Sequence, residues 1–142
     1  MHIGFMKTID RTSPNAPDSA LGNIERDLPT ELHDVFQVVQ LTRGTQLQND
    51  VGADLVRLDP HQTSQIHRHN LADTVLYMLD GAGIVVVDDV DHAVRAGDRI
   101  TIRPAQFHGV RTADDPLTFI SIQTPPILDE ATGHLDLEPR ST

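Results

Sequence analysis

Thr74-Val75-Leu76-Tyr77-Met78-Leu79-Asp80-Gly81 is the stretch whose reading sets the fold, and Gly83-Ile84-Val85-Val86-Val87-Asp88-Asp89 follows it after one residue. Both runs are filled with residues that suit a pleated, half-buried surface, and both close on turn-forming residues. Each is too short for a helix, which in a globular protein runs ~8–20 residues. The pattern predicts two strands, 74–79 and 83–87, with a turn at Asp80-Gly81 and a hairpin at Asp88-Asp89. Outward from this pair, similar runs predict strands near 35–41, 53–58, 92–95, 99–102, 107–112 and 117–123. Asp59-Pro60, Ala96-Gly97-Asp98, Pro104 and Asp114-Asp115-Pro116 separate them. Between 35 and 123 nothing carries a helical apolar period of ten or more residues. The expectation is therefore all-β: one antiparallel sandwich or barrel, with no helix longer than about two turns.

The flanks read differently. Residues 1–31 contain Thr12-Ser13-Pro14-Asn15-Ala16-Pro17-Asp18-Ser19, a cluster of turn formers without apolar period, and are expected to form an N-terminal arm. Residues 32–124 form the expected barrel domain. Pro125-Pro126 ends the last strand, and 125–142 is an acidic, turn-rich tail that Leu128, Leu135 and Leu137 pack on or near the barrel.

A chain of 142 residues suits a single domain. Its formal net charge of −10 argues against nucleic acid and against an anionic membrane surface. There is no cysteine, which excludes disulfides, thiolate metal sites and cysteine nucleophiles. No apolar run approaches the ~18–20 residues of a membrane span, and no signal peptide is evident, so the expected location is the cytoplasm. No phosphate-binding glycine loop and no GxSxG elbow is present. Eight histidines stand out, because imidazole is the commonest metal ligand.

His67-Arg68-His69 places two imidazoles at i and i+2, on one face of a strand. The pair alone admits a bland reading, two solvated histidines beside Arg68 and Asn70. Its surroundings narrow the choice. The pair precedes the strand that ends at Gly81, and a second cassette, Gly97-Asp98-Arg99-Ile100-Thr101-Ile102-Arg103-Pro104-Ala105-Gln106-Phe107-His108, follows. Here the chain resembles the cupin superfamily. The first cupin motif runs glycine, five residues, HxH, three or four residues, glutamate, six residues, glycine. The second runs glycine, five residues, PxG, two residues, histidine, three residues, asparagine. His67, His69, Gly81, Gly97 and His108 fall on motif positions, and the match extends from His61 to Thr112. Departures from the motifs fall at four places. His61 stands for the first glycine, Thr112 for the asparagine, Pro104-Ala105 for the PxG, and Thr74 for the glutamate ligand, with Asp73 beside it.

The resemblance implies a jelly-roll barrel, or double-stranded β-helix, with a divalent transition metal (Zn, Ni, Fe, Mn or Cu) on His67, His69 and His108. Either Asp73 or Thr74 is the candidate for a fourth ligand. Strand alternation points Asp73 away from the face that Thr74 occupies. Tyr77, Gln106 and Val110 are the pocket candidates, with Arg57, Phe119 and Ser121 of undecided facing. The implied function is that of a small metal-binding cupin acting on or binding a small molecule, as a dioxygenase-, isomerase- or lyase-like enzyme. The alternative is a non-catalytic ligand-binding or metal-sensing module, or a degenerate cupin whose histidines bind nothing. A homodimer is expected, with the arm over a neighbour's edge strand. His2, His33, His61, His92 and His134 are expected to be solvated or, for His61, at most on the rim.

Overall fold

The computed structural model of the chain describes residues 21–141. Most of the expected arm, residues 1–20, lies outside the described residues. The elements are α1 (Ile24–Asp27), β1 (Glu31–His33), β2 (Phe36–Gln40), β3 (Gly52–Leu58), β4 (His67–Arg68), β5 (Asp73–Val87), β6 (Val90–Arg95), β7 (Arg99–Ile102), β8 (His108–Arg111), β9 (Leu117–Thr124) and β10 (Glu138–Pro139). The protein is all-β, as expected. α1 is one turn, opened by Asn23, whose side-chain oxygen accepts the amides of Glu25 and Arg26 at 3.0 Å each. Among the described residues no helix is long and apolar enough to cross a membrane.

The strands form two antiparallel layers that share β5. One layer runs β1-β2-β3-β9-β5, with β7 also on the first half of β5. The other pairs the second half of β5 with β6 and β8, and continues through β4 to β10. This is a jelly roll in which one strand bends from sheet to sheet.

That bend corrects the expected turn at Asp80-Gly81. Residues 74–79 and 83–87 are one strand of 15 residues, with a bulge between Met78 and Asp80. Thr74, Leu76 and Met78 face inward before the bulge; Val85 and Val87 face inward after it. An extra residue shifts the alternation by one, as a bulge must. Gly81 has φ 81°, and a Cβ there would collide with the carbonyl oxygen of Pro116. The turn-forming residues are thus used to bend a strand, not to end it. The Asp88-Asp89 hairpin is present: both residues have positive φ, 47° and 64°, and join Val87 to its partner Val90.

Three short strands, β1, β4 and β10, have no counterpart among the expected ones, because two or three residues carry no readable period. The expected strands at 35–41 and 107–112 are shorter at both ends, and the one at 92–95 begins at Val90.

Leu58, Met78, Val85, Ile102 and Leu117 are the most completely buried large side chains. Burying each from water stabilises the fold by roughly 1.5–3 kcal/mol before entropy is charged against it. Val56, Leu76, Val110 and Phe119 join this core and also line a cavity, so the core continues into the cavity wall. The tail lies on the second sheet. β10 pairs with β4, and the Glu138 carboxylate accepts from Arg68 at 3.0 and 3.2 Å and from Asn70 at 3.0 Å.

Candidate metal centre

His67 and His108 are directly opposed across β4 and β8, so strand pairing alone puts their rings 4.5 Å apart. His69 lies just past the end of β4, two residues from His67 and on its face, with its ring 5.0 Å from each of the others. The three offer ring nitrogens that all lie within 4.8 Å of one another. His69 and His108 are buried and His67 is half-buried.

Each ring is held the same way. Nδ1 of His67 donates to the Gln65 carbonyl at 3.3 Å, that of His69 to the Asp136 carbonyl at 2.6 Å, and that of His108 to the Gln106 carbonyl at 2.9 Å. A carbonyl only accepts, so in the neutral ring the proton sits on Nδ1 and Nε2 keeps its lone pair. Burial, and then the neighbouring His69, lower the His67 pKa to about 4; burial, and then His67, lower that of His108 to about 3. Burial also lowers His69 from its ordinary value, against the opposing pull of Asp136. Three neutral imidazoles with free Nε2 atoms and main-chain acceptors behind them fit a borderline-soft divalent ion.

The two candidates for a fourth ligand face opposite ways. Asp73 is exposed and lies 3.3 Å from Arg103 on the outer surface. Thr74 is 4% exposed and lines the cavity beside the triad, and its hydroxyl has no hydrogen-bond partner. Among the described residues, the cluster contains no carboxylate.

The cavity measures about 430 Å³. Val110, Phe119 and Ser121 line it. Tyr77 does not: it falls on the outer face of β5, 40% exposed, because Leu76 and Met78 take the inward positions. Gln106 does not line it either. Its side chain is tied to the amide of Arg103 at 2.7 Å and to Asp88 at 3.0 Å, inside the loop before β8. Arg57 is exposed and paired with Asp59. His61 stays on the surface against Asp114 at 3.2 Å. His33, expected to be merely solvated, lines the cavity mouth with Glu31 at 3.6 Å.

Sequence reasoning missed Asp54, Gln123 and Asp136. The first two had a readable signal, since they share the inward parity of Val56 and Leu58 on β3 and of Leu117 and Phe119 on β9. Asp136 had none. It lies in the tail, yet its carboxylate accepts the amides of Asn70, Leu71 and Ala72 at 2.7, 3.1 and 3.1 Å, closing the turn that carries His69.

The model of the cupin domain family (Cupin_2) matches residues 54–123. An uncharacterized protein of Methanocaldococcus jannaschii is 29% identical over 72 residues, 50% of this chain and 58% of that protein. The chain therefore aligns with little more than half the length of that relative. Among solved structures, KdgF from Halomonas sp. superposes with a TM-score of 0.61 at 20% identity, covering 72% of this chain and 91% of that one. A nucleoside dehydratase of Streptomyces superposes with a TM-score of 0.67 at 12% identity, covering 83% and 88%; it has also been solved with uridine. At these identities the two structures share the fold.

Proposed function

Because the chain belongs to the cupin superfamily, its cupin domain spanning residues 54–123, we propose that it is a metal-dependent enzyme acting on a small molecule in the barrel cavity. His67, His69 and His108 would hold the ion through Nε2. The observation that carries this reading is the common orientation of the three rings, each with Nδ1 bound to a main-chain carbonyl. Rings that served only as packing would have no reason to cluster within ligand distance of one another with Nδ1 held and Nε2 left free.

Bound there, a divalent ion supplies a Lewis-acid centre. The ligand set consists of neutral groups and leaves the ion's charge uncompensated, which strengthens polarisation of a substrate oxygen. That favours lyase- or isomerase-like chemistry over oxygen activation. The protein's own part is to hold the rings still and to keep water away. Carbonyls of Gln65, Gln106 and Asp136 fix the rings, and Leu76, Val110 and Phe119 wall the site with apolar surface.

On the same reading the protein works as a homodimer. The outer strand β1 carries Leu32 at 72% exposure, an edge suited to a second copy. Sedimentation of the full chain against one lacking residues 1–20 tests this.

The central experiment is calorimetric titration of chelator-treated protein with Zn²⁺, Ni²⁺ and Fe²⁺ at pH 7.5. Micromolar or tighter binding is expected, and His108→Ala should abolish it while His92→Ala should not. No binding by the intact protein, or equal effects of the two substitutions, overturns the reading. Metal binding without turnover across hydroxy acids, sugars and diols would leave a ligand-binding module.

A further inference from the structure

The inner face of the β2-β3-β9-β5 sheet changes character along its strands. Phe36, Val38, Val56, Leu76 and Phe119 make an apolar stretch that lines the cavity. Next to it, on the same face, runs a polar row: Asp54 on β3, Ser121 and Gln123 on β9, and Thr74 on β5. The register aligns them, with Asp54 opposite Ser121 and Thr74 opposite Gln123. Gln123 is 2% exposed, Thr74 4% and Ser121 8%. A polar row this deep is unfavourable unless its groups are paired.

The pairing within the row is incomplete in a specific way. Nε2 of Gln123 donates to Asp54 Oδ2 at 3.0 Å and to Ser121 Oγ at 2.5 Å, which uses both of its protons. The Ser121 hydroxyl, having accepted, keeps its own proton. The Thr74 hydroxyl has no partner. Among the described residues nothing donates to Asp54 Oδ1. Burial also pushes the Asp54 carboxyl above its ordinary pKa, against the pull of Gln123, with His33, Glu31 and Arg43 the other charged groups acting on it. The Ser121 proton and Asp54 Oδ1 are left to be satisfied from the cavity, and the Thr74 hydroxyl, shielded from solvent in its present rotamer, reaches the cavity by rotation about its Cα–Cβ bond.

We propose that Asp54, Ser121, Gln123 and Thr74 form the recognition wall for a small neutral ligand bearing neighbouring hydroxyl groups, a polyol or sugar-type ring. A hydroxyl both donates and accepts, so adjacent hydroxyls match adjacent donors and acceptors. One ligand hydroxyl donates to Asp54 Oδ1, and another bridges the Ser121 and Thr74 hydroxyls. The ligand's carbon framework lies against the adjoining apolar stretch of the same face. An anionic group does not match at this row: it would face Asp54, and Arg43, among the described residues the guanidinium that lines the cavity, is engaged by Glu31 at 3.3 Å and Glu130 at 4.0 Å. A purely apolar ligand would leave the row unpaired. A cationic ligand would meet the charge of the proposed metal, and in that exclusion the inference rests on the metal reading above.

The test uses four probes of one size, cis-1,2-cyclohexanediol, cyclohexanol, cyclohexanecarboxylate and cyclohexylamine, together with D-ribose and myo-inositol. Binding is followed by amide chemical-shift mapping on the full chain, with and without Zn²⁺, while Zn²⁺ affinity is measured separately by calorimetry. The expected result is saturable shifts at Asp54, Ser121 and Gln123 with the diol, ribose or inositol, at least tenfold tighter than with cyclohexanol. Thr74→Val, which keeps the side chain's shape, and Asp54→Asn should each weaken diol binding at least fivefold and weaken that of cyclohexanol, which has a single hydroxyl, by less. Tighter binding of the carboxylate or the amine, diol binding indifferent to both substitutions, or no polyol shifts in protein that binds Zn²⁺ overturns the proposal. Polyol shifts along the row in protein that binds no Zn²⁺ would sustain the wall and reject the metal.

Discussion

The main-chain oxygen of Asp136 accepts the Nδ1 proton of His69 at 2.6 Å, while the carboxylate of the same residue holds three consecutive amides, Asn70 to Ala72. One tail residue thus fixes both a proposed ligand and the turn that carries it. Asp136→Ala strands those amides, and a buried unpaired donor costs ~1–3 kcal/mol. The melting temperature should fall, and divalent affinity should drop roughly 10–100-fold, the usual consequence of losing support behind a ligand. Asp136→Asn keeps one acceptor oxygen and should lose less of both. Thermal melts and zinc calorimetry on the two variants check this; unchanged affinity in a stably folded Asp136→Ala would detach the tail from the site.

The pH dependence of metal binding follows from burial of the triad. Protons compete with the ion for the imidazoles, and with ordinary values near ~6.5 the affinity would fall below pH ~6. The folded values are lower, about 4 for His67 and about 3 for His108. Zinc affinity should therefore hold to a lower pH than ordinary histidines allow, and fall steeply only as pH approaches the folded values. Stability of the metal-free protein moves in the same sense. The unfolded chain takes up these protons below ~6.5 while the folded triad does not, so stability is full above that pH and is lost as pH falls towards the folded values. Titrations from pH 4 to 8 decide between a threshold near 6 and the lower one.

Ala105 occupies the place of a motif glycine and has φ 68°, with its amide donating to the His69 carbonyl at 2.7 Å. The left-handed conformation is unfavourable for a residue with a Cβ by ~1–2 kcal/mol, and glycine gives back ~0.5–1 kcal/mol in unfolded-state entropy. Ala105→Gly should therefore stabilise the protein by about 0.5–1 kcal/mol, read as a raised denaturant midpoint at constant slope. A lowered midpoint would mean that the loop does not hold this conformation in solution.

What could be read in the sequence was what obeys a local period. His67 and His69 share a face by the two-residue repeat, and His108 could be placed only through the motif spacing, which stands in for the β4–β8 pairing. Asp54, Ser121 and Gln123 were legible in principle, as polar residues on the apolar parity of β3 and β9. The bend at Gly81 was not: Asp80-Gly81 carries the same signal whether it ends a strand or kinks one, and only the contact with Pro116 separates the two. Asp136 was beyond reach, because tertiary closure from a tail 67 residues after His69 leaves no local pattern.

Thr74 supplies the last prediction, because it stands where the cupin motif carries glutamate and points into the cavity. Thr74→Glu would place a carboxylate, buried, beside three imidazoles that burial keeps neutral. Without metal that charge lacks a compensating partner, so the melting temperature of the metal-free protein should fall by several degrees. With metal the carboxylate becomes a charged oxygen ligand, and affinity should rise. Manganese, which prefers oxygen donors, should gain more than zinc or nickel. The separation in melting temperature between loaded and metal-free protein should therefore widen, and more so for Mn²⁺. Asp73→Ala is the control: its carboxylate faces Arg103 outside the barrel at 3.3 Å, and an exposed pair of this kind is worth about 0–1 kcal/mol. Loss of metal binding in Asp73→Ala, with no gain in Thr74→Glu, would reverse the facing of β5 and make Asp73 the fourth ligand.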